Sequence, residues 1–244
     1  MQTFGLFYGH LKVNKFLQQY STGKRSFPKI NLQEAELIKV NLREIDLTAA
    51  DLRQARLGRT NLTCACLRKA DLSESILWGT DLTKADLKRA NLREADLSGA
   101  ILTKANLKQA NLIKAILKGA NLSHAKLSKA LMFEVDLRPT TDYRTNLSHA
   151  HLSYADLSYA NLSMAILYKA NLDGAKLCRA NLNAGMGLTT DLTEASLQGA
   201  DLSYADLSGA ILFKANLTDA DLTGTNLDDA DLTEAIMPDG RIYQ

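Results

Sequence analysis

Ala85-Asp-Leu-Lys-Arg-Ala-Asn-Leu-Arg-Glu-Ala-Asp-Leu97 is built from one five-residue unit: a small residue, Asp or Asn, Leu, and two variable polar positions. The unit keeps its phase over most of the chain. Phe27, Leu32, Leu37 and every fifth residue to Leu232 hold the central position, and after residue 32 only Met132, Asp142 and Gly187 depart from Leu. Neither regular element can use such a period. On an α-helix, five residues advance about 500°, effectively about 140°, and would scatter the leucines round the cylinder. On a flat strand an odd period sends successive leucines to opposite faces. A backbone that turns a corner in every unit keeps them all inside.

Runs such as Ala150-His-Leu-Ser-Tyr-Ala-Asp-Leu-Ser-Tyr-Ala-Asn-Leu162 resemble the pentapeptide-repeat family. The resemblance covers about residues 27–237. It implies an all-β fold, a right-handed quadrilateral β-helix with four units per coil of 20 residues. About ten coils at about 4.8 Å each would make a rod roughly 50 Å long. The Asp or Asn before each Leu then lies at a corner, where its side chain can bond nearby backbone. Asp51, Asn61, Asp71 and their successors are therefore expected to form turns, not to catalyse.

Upstream of the repeat, Val13, Phe16, Leu17 and Tyr20 make one apolar stripe of a short helix, and Gly23 and Pro28 supply stop signals. Three divisions are expected: residues 1–26 as a tail and capping helix, 27–237 as the repeat body, and 238–244 as a C-terminal cap opened by the turn signal Pro238-Asp-Gly240.

The chain has 244 residues and a net charge of +2, unevenly distributed. Through residue 140 there are 23 Lys and Arg against 13 Asp and Glu, and from 141 onward 6 against 14, so +10 and −8 sum to +2. Three cysteines without framework spacing argue against a secreted disulfide scaffold. No signal-peptide pattern and no membrane-spanning apolar run is evident, so a cytoplasmic protein is expected, and without a C-terminal helix to pair two copies a monomer is expected.

Two stretches interrupt the repeat, Pro139–Thr145 and Asn183–Thr190. Because Leu137 to Leu147 and Leu182 to Leu192 are each ten residues, each is expected to replace one unit and insert nothing. Counting 20 residues per coil, Asp142 and Gly187 then fall on neighbouring sides. With Tyr143, Arg144, Tyr154 and Tyr159 they form the candidate surface for an unidentified protein partner. The same count stacks Arg68, Lys69, Lys88, Arg89, Lys108, Lys129 and Lys169 on one side, and Lys84, Lys104, His124 and Arg144 on the side before it. Phe133 and Phe213 come out equivalent.

No nucleophile elbow, phosphate loop or zinc signature is present, and the histidines do not converge. No enzyme, cofactor or metal is expected. The leading functional reading is a non-catalytic structural or interaction module. One alternative is polyanion binding, including nucleic acid, along the basic stripe. Another is modulation of DNA topology, because some members resemble duplex DNA and interfere with DNA gyrase. Those members look like acidic rods dimerised by a C-terminal helix, and this chain departs on both counts.

Overall fold

The structure, a computed structural model, describes residues 13–185 and 187–244. The tail expected at the start of the chain lies largely outside the described residues. Helix α1, residues 13–21, is the one helix among them. Its stripe packs as the spacing predicts: Phe16 is buried, with Val13, Leu17 and Tyr20 against the same core. The Phe16 and Phe27 rings meet edge to face at 4.8 Å, and the Tyr20 hydroxyl donates to the Arg43 carbonyl at 2.8 Å.

From residue 26 onward each unit makes one parallel bridge to the unit a coil later, so the chain forms four ladders. Side one runs Asn31, Asp51, Asp71, Asn91; side two Glu36, Arg56, Ile76, Asp96; side three Asn41, Asn61, Asp81, Ile101; side four Ser26, Asp46, Cys66, Asp86. The unit Asp86–Ala90 shows why five residues suffice. Leu87 donates to the Asn106 carbonyl of the next coil at 2.8 Å, and Ala90 closes a turn onto the Leu87 carbonyl at 2.9 Å. Arg89, third in that turn, has φ 59°, the positive φ of a type II turn. The Leu and the small residue point inward: Leu87, Ala90, Leu92 and Ala95 are at most 1 % exposed, as are their counterparts through most of the stack.

Corner carboxylates and amides act as turn formers. The Asp81 carboxylate accepts from the Thr83 N–H at 2.9 Å, and the Asn61 side chain accepts from the Thr63 N–H at 2.9 Å. Corners also bond from coil to coil: Asn91 Nδ2 donates to Asp71 at 3.0 Å, and Asn111 Nδ2 to Asn91 at 3.1 Å.

The expectation that the interruptions insert nothing is corrected by the ladders. Asn121 pairs with Asn146 and Ile166 with Asp191, 25 residues on, whereas Asn146 pairs with Ile166, 20 on. Each interruption adds five residues to its coil. The Leu phase survives because five is the length of a unit, but the side count shifts. Asn146 and Asp191 therefore share side three, two coils apart, so Asp142 and Gly187 belong to inserts on the same corner and not to neighbouring sides. The shift also moves Lys169 to side three, puts His149 and not Arg144 above His124, and sends Phe133 and Phe213 to sides one and three.

At the end of the stack the chain turns back. Ile242 bridges Ile236 antiparallel, with Tyr243 donating to the Ala235 carbonyl and accepting from the Glu234 N–H.

Candidate interaction surface

The first insert leaves the stack where a positive φ is impossible. In the unit Asp136–Thr140 the third turn position is Pro139, whose ring holds φ near −65°. The turn cannot close, and residues 138–145 bulge between sides two and three. The bulge is held by Thr140, whose N–H donates to the Tyr143 carbonyl at 2.8 Å and whose hydroxyl accepts from the Tyr143 N–H at 3.0 Å. It folds back over Gly119, where an added Cβ would lie 2.9 Å from the Thr140 side chain. The second insert, residues 183–190, closes as a hairpin in which Gly185 and Leu188 exchange two backbone hydrogen bonds of 2.8 Å. Gly187 there has φ 77°.

Both inserts re-enter the stack by the same device. Thr145 and Thr190 take the buried inward position, and each hydroxyl satisfies both rims of the break. Thr145 accepts from the Gly119 N–H at 2.9 Å and donates to the Arg138 carbonyl at 2.9 Å. Thr190 accepts from the Met164 N–H at 2.8 Å and donates to the Asn183 carbonyl at 3.0 Å.

Arg144 joins the two inserts. From the end of the first, Nε donates to the Met164 carbonyl at 2.8 Å, and Nη2 reaches the Ala165 carbonyl at 3.4 Å and the Thr189 carbonyl of the second insert at 2.5 Å. Burial pushes the Arg144 pKa down, and the nearby Asp191 carboxylate opposes that. An arginine fork on three carbonyls is a fixed strut, because its planar donors hold several acceptors in one geometry. Around it the inserts offer Asp142 and Tyr143, both exposed, with Gly187 and Leu188; Tyr143 is 68 % exposed and Leu188 38 %. The two projections are about 10 Å apart along the stack, and Met164 lies in the intervening coil.

The six residues offered as one partner surface are divided by the structure. Asp142, Tyr143, Arg144 and Gly187 belong to the paired inserts. Tyr154 lies on side four with its ring over Gly174, and Tyr159 on side one against Phe133 at 5.4 Å. Thr145, Thr190 and Leu188 were not singled out by the sequence reading. The available signal was Pro139 at a position that needs positive φ, a mark of a break that the leucine phase hides. Of the stripe, Lys69, Lys88, Arg89, Lys108 and Lys129 lie on side four and Lys84 and Lys104 on side three. His124 and His149 stack at 4.8 Å, and His149 meets Tyr168 edge to face at 5.6 Å. Among the described residues no group of His, Cys, Asp and Glu is arranged to hold a metal ion, and no helix is long and apolar enough to cross a membrane.

A family model described as pentapeptide repeats matches in 8 copies, over residues 29–63, 65–103, 100–138, 145–183, 190–229 and 210–239. Its matched segments break at the two inserts. The chain is similar to the crystal structure of HetL, a pentapeptide repeat protein involved in heterocyst differentiation regulation from the cyanobacterium Nostoc sp. strain PCC 7120. The identity is 59 %, covering 94 % of this chain and 98 % of that one, with a TM-score of 0.94. Similarity also extends to alr5209, a pentapeptide repeat protein from Nostoc Pcc 7120, at 38 % identity over 47 % of this chain and 79 % of that one, TM-score 0.22. A further structure, the plasmid-mediated fluoroquinolone resistance protein QnrB1, is 18 % identical over 85 % of this chain and 89 % of that one, TM-score 0.32. Comparison with curated proteins found no match. Repeat proteins of this kind are generally structural or interaction modules. From the recurring five-residue unit to the matched segments and the overlay on HetL, the observations agree that this chain belongs to the pentapeptide-repeat family.

Proposed function

We propose that the protein is a non-catalytic regulatory module that holds a protein partner on the paired inserts, presented by a right-handed quadrilateral β-helix of about ten coils. In this reading residues 27–237 form the working body, flanked by 1–26 and 238–244, and the protein acts in the cytoplasm as a monomer. The observation that carries it is the Arg144 strut, which ties two separate five-residue inserts into one surface. Decay of a redundant repeat would give inserts at unrelated positions with unrelated closures. Here both fall at one corner and both close on a buried Thr. An exposed Tyr on a rigid base suits a protein contact, and Leu188 adds apolar surface on the other insert, about 10 Å along the stack. The likeness to HetL, a protein involved in heterocyst differentiation regulation, supports the same process for this chain.

The test is expression of the chain in Nostoc sp. strain PCC 7120, with heterocysts counted along filaments. The wild-type chain should change their frequency, and a Tyr143→Ser, Leu188→Ser double variant of unchanged melting temperature should not. An undiminished effect from the double variant would remove the inserts from the function.

A further inference from the structure

Charge is divided round the stack as well as along it. Sides three and four, over residues 61–70, 81–90, 101–110 and 121–130, carry nine Lys and Arg against two carboxylates, Asp81 and Asp86, a net of +7. Sides one and two of the same coils, residues 71–80, 91–100, 111–120 and 131–140, carry four Lys and Arg against six Asp and Glu, a net of −2.

The two halves also differ in pairing. All four cations of the second half are in ion pairs: Arg93 with Glu94, Lys114 with Glu134, and Lys118 and Arg138 with Asp136. On the basic half only Arg68 is paired, with Asp86. The other eight stand exposed among the described residues without a carboxylate partner, and several stack like on like one coil apart: Lys69 and Arg89, Lys88 and Lys108, Lys84 and Lys104. Like charges opposed across neighbouring strands destabilise the fold. The acidic half shows that this repeat readily accommodates partners for such cations.

We propose that this basic half is a binding site for the phosphate backbone of duplex nucleic acid, read without regard to sequence. An opposite charge of high linear density relieves the stacked repulsion and releases its own counterions. The wall contains no Phe, Tyr or Trp in these four coils. It therefore lacks both the aromatic anchors of a protein contact and the stacking platforms that hold single strands. No insert interrupts this wall, where pairing keeps the regular 20-residue step, so the contacts are those of point charges on phosphates, which position a duplex and do not read bases. The site is separate from the paired inserts and does not depend on their role.

Fluorescence anisotropy with a labelled 20-base-pair DNA duplex of arbitrary sequence tests it, from 50 to 200 mM NaCl. With about five phosphates neutralised, log affinity falls against log salt with a slope of about −4.5, and binding weakens by about 10²- to 10³-fold over that range. The variant Lys84→Gln, Lys88→Gln, Lys104→Gln, Lys108→Gln should bind at least about tenfold more weakly, with a shallower slope. Glutamine suits these sites, since Gln54 and Gln109 already adopt the positive φ of Lys84 and Lys104. Lys114→Gln, Lys118→Gln on the paired half should bind as wild type. Four outcomes would each overturn the proposal: no binding at 50 mM NaCl, equal loss in both variants, equal affinity for the single strand, or equal affinity for poly-glutamate or for vesicles containing phosphatidylserine.

Discussion

At the scale of the residue, the corner Asp or Asn does the work that a long strand would otherwise do. Asn91 takes three hydrogen bonds: its Oδ1 accepts from Arg93 N and Asn111 Nδ2, and its Nδ2 donates to Asp71. Replacement by Ala removes all three, and each is worth about 0.5–1.5 kcal/mol at a partly exposed site. Asn91→Ala should lower stability in urea by about 1.5–4.5 kcal/mol, and a change below about 0.3 kcal/mol would contradict the turn role. The sequence made this role legible because Asp and Asn alternate freely at one position, which a turn tolerates and a catalytic site does not. It also showed which residues would be core. It did not show that Thr145 and Thr190 close the breaks, since Thr60 and Thr80 sit at the same inward position and bond carbonyls of the preceding coil.

At the scale of the element, the two inserts are distinguished from ordinary coils by 25-residue pairing, and Arg144 is what makes them one surface. Arg144→Ala loses three charge-assisted bonds and should destabilise the protein by about 1–3 kcal/mol, with faster amide exchange confined to residues 138–145 and 183–190. Arg144→Lys should recover little, because an ammonium cannot hold carbonyls of two coils with a planar fork. Full recovery by Lys would reduce Arg144 to a point charge. The position of the inserts was legible from the interruptions, and Asp142, Tyr143 and Gly187 were visible as departures from the repeat. Their shared corner was not. A five-residue insert preserves the period by which the sequence is read, so only pairing across coils shows that 20 has become 25.

At the scale of the whole molecule, the stack holds a run of carboxylates whose pKa lies below the ordinary value. At Asp46 the main causes are the Thr48 hydroxyl and backbone hydrogen bonds, at Asp51 the Arg53 side chain, and at Asp221 and Asp231 the hydroxyls of Thr223 and Thr233. At Asp136 burial acts upward and is outweighed by hydrogen bonds from Arg138 and Lys118. A carboxylate with a folded pKa below its unfolded one contributes stability that is complete above the unfolded value, about 3.9, and is lost as pH falls through the folded value. The melting temperature should therefore hold from about pH 8 to 5 and fall below about pH 4; a rise on acidification from pH 5 to 3 would contradict these assignments. The division of charge along the chain was read from composition, but its division round the stack needed the corrected register. That register rests on the inserts, and removing both tests it together with their function. Deleting residues 139–143 and 184–188 leaves two regular units, Asp136-Leu137-Arg138-Arg144-Thr145 and Asn181-Leu182-Asn183-Thr189-Thr190. The shortened protein should melt cooperatively within a few degrees of the wild type and have no effect on heterocyst frequency in Nostoc; loss of folding, or a full effect on heterocysts, would contradict the account.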